Sequence, residues 1–100
     1  DITQAIADVR TLLAKQPCLL PRFDKSQDTV FGQDLWQSVE QPQDIVIFEG
    51  WCVGLCPEPV TNLLRPINYF EQTCDVDGRF RQLVNQHLAA EYQDLFTLFF

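Results

Sequence analysis

The apolar positions Ile2, Ala5, Ile6, Val9, Leu12 and Leu13 recur at helical spacing and predict a helix over residues 1 to 15. Lys15 falls in its last turn and Pro17 follows two residues later, a pattern that stops a helix. The short apolar piece CLLP, residues 18 to 21, reads as extended, because the residue before Pro21 is pushed toward β. Residues 22 to 43 are polar and irregular, with Gly32 and Pro42, and predict a loop with one helical turn near DLWQSV. IVIF, residues 45 to 48, is apolar without alternation, which predicts a strand covered on both faces, as in a parallel sheet. GWCVGLCPEP then reads as a loop, a helix runs from about Pro59 to Leu64 with Arg65 and Pro66 disturbing its end, and EQTCDVDG is a second loop. Finally Phe80, Leu83, Val84, His87, Leu88, Tyr92, Leu95, Phe96 and Phe99 predict one helix running to the end of the chain.

One strand and the CLLP piece are too few for a doubly wound sheet, and LFTLFF closes the sequence on apolar surface. The elements therefore read as an internal piece of a larger α/β protein. The apolar C-terminal helix is expected to join two chains as a homo-oligomer.

Composition narrows the partners. The chain has 100 residues, 46% apolar and 21% charged, a globular rather than disordered balance. Seven basic against fourteen acidic side chains leave a net charge of −7. Such a surface is repelled by phosphate backbones and anionic lipid, so neither nucleic acid nor a membrane is an expected partner. No apolar run approaches the roughly 18 residues that span a bilayer. DITQAIADVR lacks the basic start and apolar core of a signal peptide, and a cytoplasmic location is expected. No disulfide framework is expected of Cys18, Cys52, Cys56 and Cys74 in that setting. Cys52, Cys56 and Cys74 with His87 would make a three-Cys, one-His zinc set on paper, but only one pair is locally spaced, and buried small apolar thiols are the plainer reading.

Two places could carry chemistry. Glu49 follows the predicted strand directly, and ligands of open α/β sheets bind beyond the carboxyl ends of strands. A carboxylate there is placed to hold Mg²⁺, directly or through water; a solvated strand-end glutamate is the plain alternative. LPRFDKSQD, residues 20 to 28, sets Asp24 between Arg22 and Lys25 beside the Ser26 hydroxyl. That mixture suits a hydroxylated, anionic small substrate, with Asp24 as general base and Arg22 or Lys25 balancing charge. Local ion pairs on a solvated loop are the alternative.

Taken in order, LPRFDKSQD, DIVIFEGWCVG, PINYFE, DGRFRQLVNQHL and YQDLF resemble bacterial P-loop kinases of the D-glycerate 3-kinase type, relatives of uridine kinase and phosphoribulokinase. The resemblance implies an α/β fold, a fragment of the three-layer P-loop kinase architecture that is mostly helical within this chain, with one or two short strands. Residues 1 to 100 would be an internal part of a single kinase domain, with the Walker A region upstream and the lid and adenine region downstream. Glu49 would be the catalytic acid on the Mg²⁺ side, and Asp24 a catalytic substrate contact or base. Arg22, Lys25, Arg79 in DGR and Asn85 in VNQHL would bind substrate. The intact enzyme would use ATP and Mg²⁺, neither tightly held by this chain, and would bind nucleotide and a small molecule, phosphorylating a hydroxyl of glycerate or a similar compound. Two departures stand out. A cation of the family is missing from QDTVFGQDLW, and no G-x-x-x-x-G-K-[ST] occurs around Gly32, Gly50, Gly54 or Gly78. The chain alone is thus expected to be inactive. The alternative is a small acidic protein-interaction domain without catalysis, whose C-terminal apolar helix docks on a partner.

Overall fold

The computed structural model describes all residues, 1 to 100, and the chain divides between Phe48 and Glu49 into two compact units.

The N-terminal unit opens with α1 (Ile2–Leu13), the helix its apolar stripe predicts. Asp1 caps it, Oδ1 accepting from the Gln4 N–H at 3.2 Å, and Ile6 and Val9 are buried. Its end is built by hydrogen bonds ahead of Pro17. Lys15 takes the left-handed region at φ 57°. The Lys15 N–H donates to Leu12 O at 2.9 Å and the Gln16 N–H to Thr11 O at 3.1 Å, the paired bonds of a Schellman stop.

Strand β1 (Cys18–Leu20) pairs antiparallel with β4 (Gln37–Val39), Cys18 opposite Val39 and Leu20 opposite Gln37. Between them β2 (Phe23–Asp24) pairs antiparallel with β3 (Thr29–Val30), and a 3₁₀ turn spans Gln33–Leu35. The segment predicted as loop is therefore mostly hairpin. Its tip is polar because it is a turn: the Asp24 carboxylate accepts from the Ser26 N–H at 2.8 Å and the Ser26 hydroxyl at 2.6 Å. Trp36 Nε1–H donates to Phe31 O at 2.7 Å across the 3₁₀ turn, and the Phe31 N–H donates to Arg22 O at 2.9 Å between the two arms.

This architecture overturns the expected fold class. The sheets are two antiparallel pairs of short strands, not the parallel core of a P-loop kinase. IVIF, expected as a strand covered on both faces, belongs to neither sheet. Burial alternates along it: Ile45 and Ile47 are 78% and 88% exposed, while Val46 and Phe48 are half-buried. That is extended chain with one covered face. Four apolar residues in a row look alike in that setting and in a strand buried on both sides.

The C-terminal unit begins with loop and a 3₁₀ segment at Val60–Leu64, where a helix is predicted. Helix α2 (Tyr69–Cys74) occupies part of a predicted loop. Asn68 caps it, Oδ1 accepting from the Glu71 N–H at 2.8 Å, while Glu71 reaches back to the Ile67 N–H at 3.1 Å. Helix α3 (Arg79–Ala89) and helix α4 (Glu91–Phe96) replace the single C-terminal helix, the break falling at Ala90 with φ −106° and ψ −102°. The two pack together, so Leu88 and Leu95 are closed off, Leu95 to 1% exposure. Phe96 stacks on Phe100 at 4.7 Å between centroids. The expected association through a long apolar C-terminal helix is thereby corrected: α4 has six residues and turns its leucine inward. No helix is long and apolar enough to cross a membrane.

Candidate interaction surfaces

Asp24 and Lys25 stand at the tip of the hairpin, and Arg22 precedes β2 at its foot. The Ser26 hydroxyl, and then the Ser26 N–H, hold the Asp24 carboxyl below its ordinary value, so it stays ionised as the organiser of that turn. The Arg22 guanidinium lies over the Phe31 ring at 5.8 Å, and Lys25 is exposed. Glu49 is an exposed residue at the start of the second unit, with no strand before it. Arg79 and Asn85 share α3. The Arg79 guanidinium lies over the Phe80 ring at 5.0 Å. The Asn85 amide pins the loop at Glu58, accepting its N–H at 2.7 Å and donating to its carbonyl at 2.9 Å.

With antiparallel strands only and no G-x-x-x-x-G-K-[ST], the architecture that grips nucleotide in a P-loop kinase is not formed, and the kinase reading is withdrawn. No group of three or more His, Cys, Asp or Glu side chains gathers in a way that could hold a metal ion, so the paper zinc set is not assembled.

The sequence reading passed over the most organised polar cluster. Asp75, 5% exposed, accepts from the Phe80 N–H at 2.8 Å and the Arg81 N–H at 3.0 Å, two otherwise unanswered donors at the start of α3. Arg81 pairs with it at 3.1 Å and also donates to Asp75 O at 2.6 Å and Leu63 O at 2.8 Å. Burial pushes the Asp75 carboxyl up, but the Arg81 and Phe80 N–H groups and the guanidinium charge outweigh it and hold it below the ordinary value. Gly78 is required between them: φ is +71°, and a Cβ would stand 2.8 Å from the pinned guanidinium. The legible signal was DVDG just ahead of an apolar periodic run, a helix-start pattern.

Each unit also carries open apolar surface. In the N-terminal unit a recess of about 640 Å³ is lined by Val9, Leu12, Phe23, Val30, Trp36 and Val46, with Asp8 and Arg22 at its edge. Beside it Cys18 is buried. Burial, then the Asp8 charge, raise the Cys18 thiol, which keeps it protonated and unreactive at neutral pH. A second recess of about 470 Å³ is lined by β4, by residues 45 to 47 and by the amides of Gln41 and Gln43; Glu40 is its one charged side chain. In the C-terminal unit a recess of about 860 Å³ is lined by Ile67, Phe70, Phe80 and Val84, with Glu58 and Glu71 among its polar groups. These surfaces offer apolar contact beside acidic side chains. The shifted carboxyls are spent within the fold: Asp24 on its turn, Asp75 on the start of α3 and Arg81, and Glu91 on His87.

Comparison with protein-family models, with curated proteins and with solved structures finds no match for this chain.

Proposed function

We propose that the chain is a small acidic protein-interaction domain that acts by binding rather than by catalysis. The observation that carries this reading is the run at residues 45 to 48. It borders both recesses of the N-terminal unit, yet Ile45 and Ile47 stand in solvent. Isolated exposed leucines or isoleucines are ordinary, whereas a contiguous apolar edge beside open recesses marks a contact surface. The net charge of −7 selects partners whose apolar contact residues are flanked by Lys or Arg.

Selection of a displayed library of short peptides on the immobilised chain tests this, followed by calorimetry on the enriched sequences. Apolar peptides with basic flanks should enrich, and the double substitution Ile45→Ser with Ile47→Ser should weaken them roughly tenfold or more. Absence of enrichment, or equal binding by the double variant, overturns the reading.

A further inference from the structure

We propose that the recess between β4 and residues 45 to 47 is a strand-addition site, which takes an extended segment of a partner protein as an added β-strand. This rests on the interaction reading above and specifies its mode.

Three observations carry it. First, β4 pairs only with β1. In an antiparallel ladder alternate N–H and C=O groups point away from the paired strand, and the three residues of β4 line the recess. Second, the backbone of Ile45, Val46 and Ile47 makes no hydrogen bond within the protein. These are strong strand formers held extended beside a strand with an open edge. The cover of Val46 by the N-terminal unit keeps them there, since it lines the recess against α1 as well. The recess thus has unpaired main-chain groups on two of its bordering segments, which is the chemistry that recognises another strand's main chain. Third, its side chains set the specificity. Leu12, Leu20 and Val39 are apolar, Gln37, Gln41 and Gln43 are amides, and Glu40 is the sole charge. A segment that alternates apolar with hydroxyl or amide residues and ends in Lys or Arg matches that lining. A second copy of this chain does not: it brings −7 against −7 and presents the same Glu40.

The probe is a short peptide alternating valine and threonine between terminal lysines, mixed with the full chain and followed by hydrogen exchange. Binding should slow exchange about tenfold or more at residues 45 to 47 and at β4. A counterpart N-methylated at alternate amides should lose binding, as should one ended with glutamates. If library peptides bind but this probe does not, or if the probe binds with those amides unprotected, or the N-methylated form binds equally well, strand addition is overturned and the interaction reading stands. If no peptide binds at all, both fall. If the same amides become protected merely on raising the chain concentration, the occupant is a second copy and the proposal is overturned.

Discussion

The ion pair of Asp75 and Arg81 and the main chain of residues 45 to 47 are opposite treatments of groups that need partners. At Asp75 a carboxylate, a guanidinium, two helix N–H groups and two carbonyls answer one another within a few ångströms. No buried side-chain nitrogen or oxygen in the chain lacks a hydrogen-bond partner. At residues 45 to 47 the main chain is left open and two isoleucines face water. A cluster that satisfies itself holds a fold in place and has nothing left to offer a ligand. An open apolar edge contributes little to the fold and is available for recognition. Stability and binding are therefore expected to map to different residues.

Substitutions sharpen or break that contrast. Asp75→Asn should have the largest effect, because it leaves a largely buried guanidinium without its counter-charge. We expect melting to fall by about 10 °C or more by calorimetry. The pH dependence has a defined sign. A carboxyl held low in the folded chain contributes fully above its unfolded value, near 4, and its contribution is lost as pH falls through the folded value. Wild-type stability should drop in acid more steeply than that of Asp75→Asn, and parallel curves would remove the cluster from its central place. Leu95→Ala, at 1% exposure, should cost about 2–5 kcal/mol in urea unfolding. Lys15→Gly should stabilise by up to about 1 kcal/mol, since glycine relieves the left-handed C-terminal stop of α1. Ile47→Thr, at 88% exposure, should change stability by less than about 0.5 kcal/mol. A loss comparable to that of Leu95→Ala would show the run to be packed and would end the contrast.

The sequence made some of this legible. The α1 stripe, the extended CLLP piece and a helix beginning near Phe80 are all local patterns, and each formed. The grouping of Arg22, Asp24 and Lys25 followed from adjacency alone. The partner of Asn85 did not, because Glu58 lies 27 residues away. The hairpin was hidden because its tip residues, Asp24, Ser26 and Asp28, have the composition of any polar loop. The break at Ala90 was hidden because neither glycine nor proline marks it, and the apolar period carries on across it. The kinase resemblance failed for a physical reason: a Walker-B-like reading of DIVIFEG presupposes hydrogen-bonded parallel neighbours, and here no strand pairs with that run. Motif strings gave order along the chain, but a phosphoryl-transfer site also needs the sheet that aligns them.

Hydrogen exchange on the chain alone shows whether residues 45 to 47 form an open edge. The amides of Ile45, Val46 and Ile47 should exchange close to the rate of unstructured peptide while the mid-helix amides of α3 are strongly protected. Protection at residues 45 to 47 equal to that of α3 would mean that the edge is already paired and closed to a partner.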